Sequence, residues 1–292
     1  MNAILSLSEL APEVSTGRLD IDRVSIELGS GADRFTALDD VSVNIAPGEF
    51  VCLLGPSGCG KSTLLGALAG HLTPSRGQLR LDGAPIGGPD PQRGLVFQHH
   101  TLFPWLSVRD NVAYGLRMRG VGRAERHAQA MTWLKEVGLE GFEHHYPGAL
   151  SGGMQQRVEI ARVLINQPRV LLMDEPFGAL DALTRLKMQE LLLALWSKRR
   201  MTVVFVTHDI DEALFMADRI LVMSARPGRV IEEIIVPAGR PRSAEWLTGA
   251  SFIEHKRHCL ALLRDPALTV PLARLSPINP AAESADPAAY AD

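Results

Sequence analysis

The chain has 292 residues, 46% of them apolar, and 30 basic against 33 acidic side chains leave a formal net charge of −3. That length gives room for one large domain or two modest ones with a real core, and the charge balance gives no reason to expect nucleic acid as a partner. No apolar run approaches the roughly eighteen residues of a membrane helix. The first twenty residues lack a basic start and carry Glu9 and Glu13, and the three cysteines (Cys52, Cys59, Cys259) show no metal spacing, so the chain reads as soluble and intracellular, without a signal peptide.

Residues 1–17 read as an N-terminal extension. Residues 18–26 and 41–45 have strand character, and the apolar run 49–54 predicts a strand feeding a glycine-rich turn at Gly55. A helix is expected over 62–71, a strand over 77–81 with a turn at Asp82-Gly83, and a strand over 95–97. Composition then changes, and 108–119, 123–137 and 154–165 show helical periodicity, so residues 99–165 are expected to form an inserted helical subdomain. Residues 170–173 and 202–206 are continuous apolar runs of the kind a parallel sheet buries on both faces, with covering helices over 184–198 and 211–217. Alternating strands and helices imply an α/β sheet with its binding sites at strand ends. After Pro237 the pattern weakens; residues 241–292 form a C-terminal extension, with one or two short helices over 243–264 and a Pro/Ala-rich, disordered stretch over 279–292.

Gly55-Pro56-Ser57-Gly58-Cys59-Gly60-Lys61-Ser62-Thr63 has the GxxxxGK[ST] pattern of a phosphate-binding loop. Its glycines let successive backbone N–H groups point at phosphate oxygens, and the following helix adds its positive end. Lys61 is placed to reach the β- and γ-phosphates of a nucleoside triphosphate and Ser62 to bind Mg2+. Average residue usage produces the pattern by chance about once in a hundred chains of this length. Downstream, the apolar run 170–173 ends in Asp174-Glu175. One carboxylate at such a strand tip can hold Mg2+ through water, and the next can orient and deprotonate an attacking water. A second glycine turn, Leu150-Ser151-Gly152-Gly153-Met154-Gln155-Gln156, opens another helix and is a second anion site by the same physics.

The order of these segments resembles that of the ATP-binding cassette (ABC) ATPases, and the resemblance runs from about Leu19 to about Val236. It implies an α/β P-loop NTPase core with an antiparallel β subdomain and an inserted α-helical subdomain, the cassette occupying residues 18–240. It also implies ATP and Mg2+ as ligands. On this resemblance Ser62, Gln98 and Asp174 serve the metal, Glu175 is the general base, Gln98 links the site to the helical subdomain, and His208 meets the γ-phosphate. Gly55 through Thr63 bind nucleotide in one subunit, while Ser151, Gly152, Gly153 and Gln155 bind the γ-phosphate of ATP held by a second copy, in a head-to-tail dimer. Pro176–Asp181 resembles the loop that contacts the opposite subunit. The aromatic residue that stacks on adenine in the family falls at Leu28, with Phe35 seven residues on as the other candidate. Cys59 reads as a passenger within the loop.

The apolar stretch Leu102-Phe103-Pro104-Trp105-Leu106 resembles the groove that receives a membrane permease, the alternative being a local core under the helices. The resemblance implies two transmembrane permease subunits and, indirectly, a solute-binding protein, with the chain peripheral on the cytoplasmic face of the membrane and no nucleic acid partner. Within the family the nitrate/sulfonate/taurine importers look most similar. The other readings are a soluble ABC ATPase acting outside transport, and an importer of another small solute.

Overall fold

The computed structural model describes residues 16–264 apart from His100, Ala238, Pro241 and Ser243. The expected disorder over 279–292 and almost all of the expected N-terminal extension lie outside the described residues. The chain divides into two compact units, with the break between Pro237 and Ala238.

The first unit holds two sheets. One is antiparallel, in the order β2 (Phe35–Ile45), β1 (Leu19–Leu28), β4 (Arg76–Leu81), β5 (Ala84–Pro85). The other runs β10 (Val230–Ile235), β9 (Arg219–Met223), β3 (Phe50–Leu54), β8 (Thr202–Thr207), β7 (Val170–Asp174), β6 (Arg93–Val96), and is parallel except for β10. Strands β3, β7 and β8 are apolar almost throughout because both of their faces are covered.

Helix α1 (Lys61–Ala69) lies in the core between the sheets. Its Leu64, Leu65 and Leu68 pack among Leu19, Ile21, Leu38 and Val43 from the antiparallel sheet and Val51, Leu53, Val204 and Val206 from the parallel one. Each such buried aliphatic chain stabilises the fold by about 1.5–3 kcal/mol, so these three leucines anchor α1 along its length. The opposite face of the parallel sheet carries Phe50, edge-on to Trp196 at 5.8 Å, and Phe205 beside Phe177. Trp196 belongs to α6 (Ala182–Arg199), which covers that face with α7 (Ile210–Met216).

Between β6 and β7 the chain forms a helical subdomain of α2 (Val108–Val112), α3 (Tyr114–Met118), α4 (Arg123–Glu136) and α5 (Gly152–Leu164). The single helix expected over 108–119 is two, broken at Ala113, whose ψ of −5° flattens the turn between them. Fully buried Asn111 staples the preceding loop: its Nδ2 donates to the carbonyls of Phe103, Leu106 and Ser107, and its Oδ1 accepts from Phe103 N at 2.8 Å. The apolar stretch therefore divides. Leu102 is core and Phe103 packs on Tyr114 at 4.5 Å, while Trp105 stands 71% exposed.

Strands β9 and β10 are not expected from the sequence, and β2 begins six residues earlier than its apolar pattern suggests. Only Ala217 and Asp218 separate α7 from β9, leaving no turn signal to mark the strand. The early part of β2 is recruited by pairing with β1 despite its charged residues. The second unit contains α8 (Ala244–Thr248) and α9 (Ala250–Arg264), in which Trp246 stands edge-on to Phe252 at 5.1 Å.

Candidate active site

The turn after β3 is shaped by backbone that ordinary residues avoid. Gly58 and Gly60 have φ of 75° and 97°, and a Cβ at Gly60 would come within 2.7 Å of the Leu38 side chain and 2.9 Å of the Ala37 carbonyl. Helix α1 therefore starts on a left-handed glycine with no side-chain cap. Its first N–H groups are left open for an anion, and the helix dipole adds to them.

Lys61, only 4% exposed, turns back over this loop and donates from Nζ to the carbonyls of Gly55 at 2.7 Å and Pro56 at 2.9 Å. Those neutral acceptors leave its charge uncompensated, which suits an anionic ligand. Gly55 is buried, Pro56, Ser57 and Gly58 form the exposed outer turn, and Thr63 is half-buried. Cys59 is buried, which pushes its thiol pKa up against the lowering effect of Lys61, so it is held as the unreactive thiol.

The parallel register brings the tips of β3, β7 and β8 together. Ser62 Oγ donates to Asp174 Oδ1 at 2.9 Å. Burial raises the Asp174 pKa and the neighbouring Glu175 charge adds to this, while the Ser62 hydrogen bond and Lys61 oppose it. A hydroxyl and a carboxylate are hard oxygen donors that fit Mg2+, which takes one or two protein ligands and completes its shell from phosphate and water. Among the described residues no group of three or more His, Cys, Asp or Glu side chains could hold a metal without such help.

Glu175 has a φ of 42°, and its N–H donates to Val206 O on β8 at 3.0 Å. Its Oε2 lies 3.0 Å from His208 Nδ1, with the histidine side chain 62% exposed. Lys61, Ser62, Asp174, Glu175 and His208 are thus gathered at one sheet end. Gln98 lies exposed just beyond β6, the neighbour of β7, and makes no hydrogen bond to Ser62, Asp174 or Glu175 among the described residues.

The second glycine turn is built differently. Ser151 caps α5, its hydroxyl accepting from Met154 N at 3.4 Å. Gln155 Nε2 is turned back onto the carbonyls of Pro147 and Leu150, at 3.0 and 3.3 Å. Ser151 and Gly152 are exposed, while a Cβ on Gly153 would come within 2.7 Å of Thr184 Cγ2. The polar contacts of Ser151 and Gln155 thus stay within the turn and its own helix, and do not reach the first loop of the same chain.

Leu28 and Phe35, the two candidates for the adenine contact, are direct cross-strand partners. Phe35 is 42% exposed, and the Arg226 guanidinium lies 5.4 Å from its ring centre while Arg226 Nε donates to Gly58 O at 3.0 Å. Arg226, which joins Phe35 to the phosphate loop, escapes sequence reasoning because it lies in no motif. Arg185, which links two loops at the site, escapes it for the same reason; its only signal is its place four residues after Asp181.

Comparison with known proteins places the chain in a family. The family model "ABC transporter" matches residues 38–178. An uncharacterised ABC transporter ATP-binding protein of Methanocaldococcus jannaschii is 45% identical over 251 residues, which cover 86% of this chain and 93% of that protein. The taurine import ATP-binding protein TauB of Chromobacterium violaceum is 50% identical over 233 residues, 80% of this chain and 87% of that one. Among solved structures, a dimeric ATP-binding cassette in a post-hydrolysis state with ADP and Pi bound is 35% identical, with a TM-score of 0.67 over 76% of this chain and all of that one.

Proposed function

This chain belongs to the ABC transporter family as an ATP-binding subunit, and from that premise we propose that it hydrolyses ATP to drive import of a small sulfonate, taurine first among them. The observation that carries the hydrolytic reading is the convergence at one sheet end of a buried lysine, the Ser62–Asp174 pair and the Glu175–His208 pair. The choice of taurine is supported by the name of the relatives at about half identity. Nitrate, another sulfonate and another small solute are the alternatives that uptake measurements separate, as is an ATPase uncoupled from transport.

In this reading the open N–H groups of the loop and Lys61 hold the β- and γ-phosphates of ATP, the substrate. Ser62 and Asp174 hold Mg2+, which when bound supplies charge neutralisation at the phosphates. Glu175 accepts the proton of the attacking water as its oxygen bonds to the γ-phosphorus and the bond to the β–γ bridging oxygen breaks. His208 steadies Glu175 and faces the γ-phosphate, and Gln98 closes toward the metal side. Phe35 and Arg226 form the base-side wall.

Ser151, Gly152 and Gly153 belong to the opposite face of a head-to-tail dimer, each contacting ATP held by the other copy, with Gln155 bracing the turn. Dimer closure then moves the helical subdomain. Trp105 and the ring-stacked loop around it meet two membrane permeases, which receive solute from a binding protein and hold the chain at the cytoplasmic face. Among the described residues no helix is long and apolar enough to cross a membrane. We place the cassette at residues 18–240, with 241–292 as an extension to it.

The test is uptake of labelled taurine, an alkanesulfonate and nitrate by cells lacking this chain and complemented with wild type or Glu175→Gln. We expect one uptake to vanish and to return only with the wild-type protein. In vitro, Glu175→Gln lowers kcat by about a hundredfold or more while ATP still binds. Uptake of all three solutes without the chain sinks the cargo reading, and near-normal turnover by Glu175→Gln sinks the base assignment.

A further inference from the structure

Two loops at this site are tied together by a side chain that none of the motifs contains. Arg185 lies in the first turns of α6, and its Nη2 donates to the carbonyl of Leu180 at 3.0 Å. Its Nη1 stands 3.5 Å from Asp209 Oδ2, and its third nitrogen, Nε, is buried without a hydrogen-bond partner among the described residues. Leu180 belongs to the loop after Glu175, and Asp209 is the residue after His208. The guanidinium therefore spans the loops on either side of the Glu175–His208 pair.

Asp209 is itself rigidly held. Its Oδ1 caps α7 by accepting from Asp211 N at 2.9 Å and Glu212 N at 3.2 Å, and its own N–H donates to Thr207 Oγ1 at 3.0 Å. Behind it, buried Glu212 accepts from Gln189 Nε2 at 2.9 Å. Holding Asp209 fixes the backbone from which His208 projects. Holding Leu180 O fixes the far end of a loop whose near end is Glu175, since Gly178 N donates to Glu175 O at 3.2 Å and Leu180 N to Phe177 O at 3.1 Å. A planar fork with several fixed donors can hold a carbonyl and a carboxylate at a set angle, which an ammonium cannot.

Stability does not explain the arrangement. Arg185 and Asp209 are 31% and 37% exposed, and a pair so open to water contributes little to folding. What the fork supplies is relative position.

We propose that Arg185 is a positioning residue for ATP hydrolysis, coupling the 176–181 loop to the His208 segment so that contact of that loop with a second copy sets the Glu175–His208 geometry. The inference rests on the hydrolytic and dimeric reading above.

The test is a steady-state ATPase double-mutant cycle on the full chain, with Arg185→Ala, Asp209→Asn and both together. Asn caps a helix about as well as Asp, so Asp209→Asn removes the charge and keeps the cap. Each single change is expected to lower kcat about tenfold, with KM for ATP within about twofold of wild type. The double variant is expected to fall no further than the worse single one. Arg185→Lys keeps the charge, loses the fork and is expected to lose about threefold; it and Asp209→Asn carry the test if the alanine variant does not fold. Fold-losses that multiply in the double variant overturn the inference. So does a KM that rises in step with the loss of kcat, or a lysine variant that turns over at the wild-type rate. A wild-type chain without turnover removes the hydrolytic reading and this inference with it, whereas a wild type that turns over beside independent single variants removes the inference alone.

Discussion

Helices α1 and α5 both open on a turn of glycine and serine, yet they are finished differently. At α1 the cap is Gly60, left-handed and without a side chain, so the first N–H groups have no protein acceptor of that kind, and a buried lysine and a serine–carboxylate pair stand beside them. At α5 the Ser151 hydroxyl already takes one N–H of the first turn, and the Gln155 amide is spent on the loop before it. The same helix-end physics acts at both. Only α1 has a buried lysine and a serine–carboxylate pair beside its start within the same chain, whereas α5 presents an exposed turn without them. In the reading proposed above, the α5 turn of a second copy finishes the site that α1 begins.

The comparison breaks most sharply at Lys61. Replacing it with alanine removes a buried, charge-assisted donor, and nucleotide affinity should fall about a hundredfold in a fluorescent-nucleotide titration. An unchanged affinity would make α1 no more of a site than α5. Ser151→Ala sharpens the contrast: ATP affinity of the single chain should stay within about twofold, while turnover, which in the proposed reading needs the second copy, should drop about tenfold. Its loss of the cap costs about 1 kcal/mol of stability, which a melting curve at saturating ATP separates from the kinetic effect. If single-chain affinity fell as far as in Lys61→Ala, the half-site account of α5 would be wrong.

The smallest effect concerns Asp174, whose pKa burial raises. Between the ordinary aspartate value and the raised one, the folded state binds more protons than the unfolded state, so this group's contribution favours folding at low pH and is lost as pH rises through the raised value. Asp174→Asn removes that cost. It should therefore raise Tm at neutral pH, and by less in acid. A Tm difference that grew toward acid pH would mean that the folded state lowers this pKa instead.

Much of the fold is legible because its strongest signals are local. The run 49–54 ending at Gly55 and the run 170–173 ending at Asp174 announce buried parallel strands that end in chemistry, and the structure joins their tips through Ser62 and Asp174. Pairings that depend on distant partners are not legible. Strand β9 has no turn before it, the first half of β2 carries the Asp39-Asp40 pair, and Ala113 breaks a helix that periodicity alone continues. Arg185 and Arg226 are invisible for a related reason: each acts on a backbone carbonyl, of Leu180 or Gly58, and a carbonyl leaves no mark in a sequence.

Glu175 holds a backbone conformation, φ 42°, that side chains other than glycine, asparagine and aspartate enter only at a cost of about 1–2 kcal/mol. For folding alone, asparagine is the better residue there. A laboratory selection that rewards heat resistance without reading turnover would thus be drawn toward this position and would return hardened proteins that have lost the carboxylate. If Glu175 is the base proposed above, it marks a place where durability and work are in direct competition, and a stabilised variant of this chain needs residue 175 held fixed from the first round.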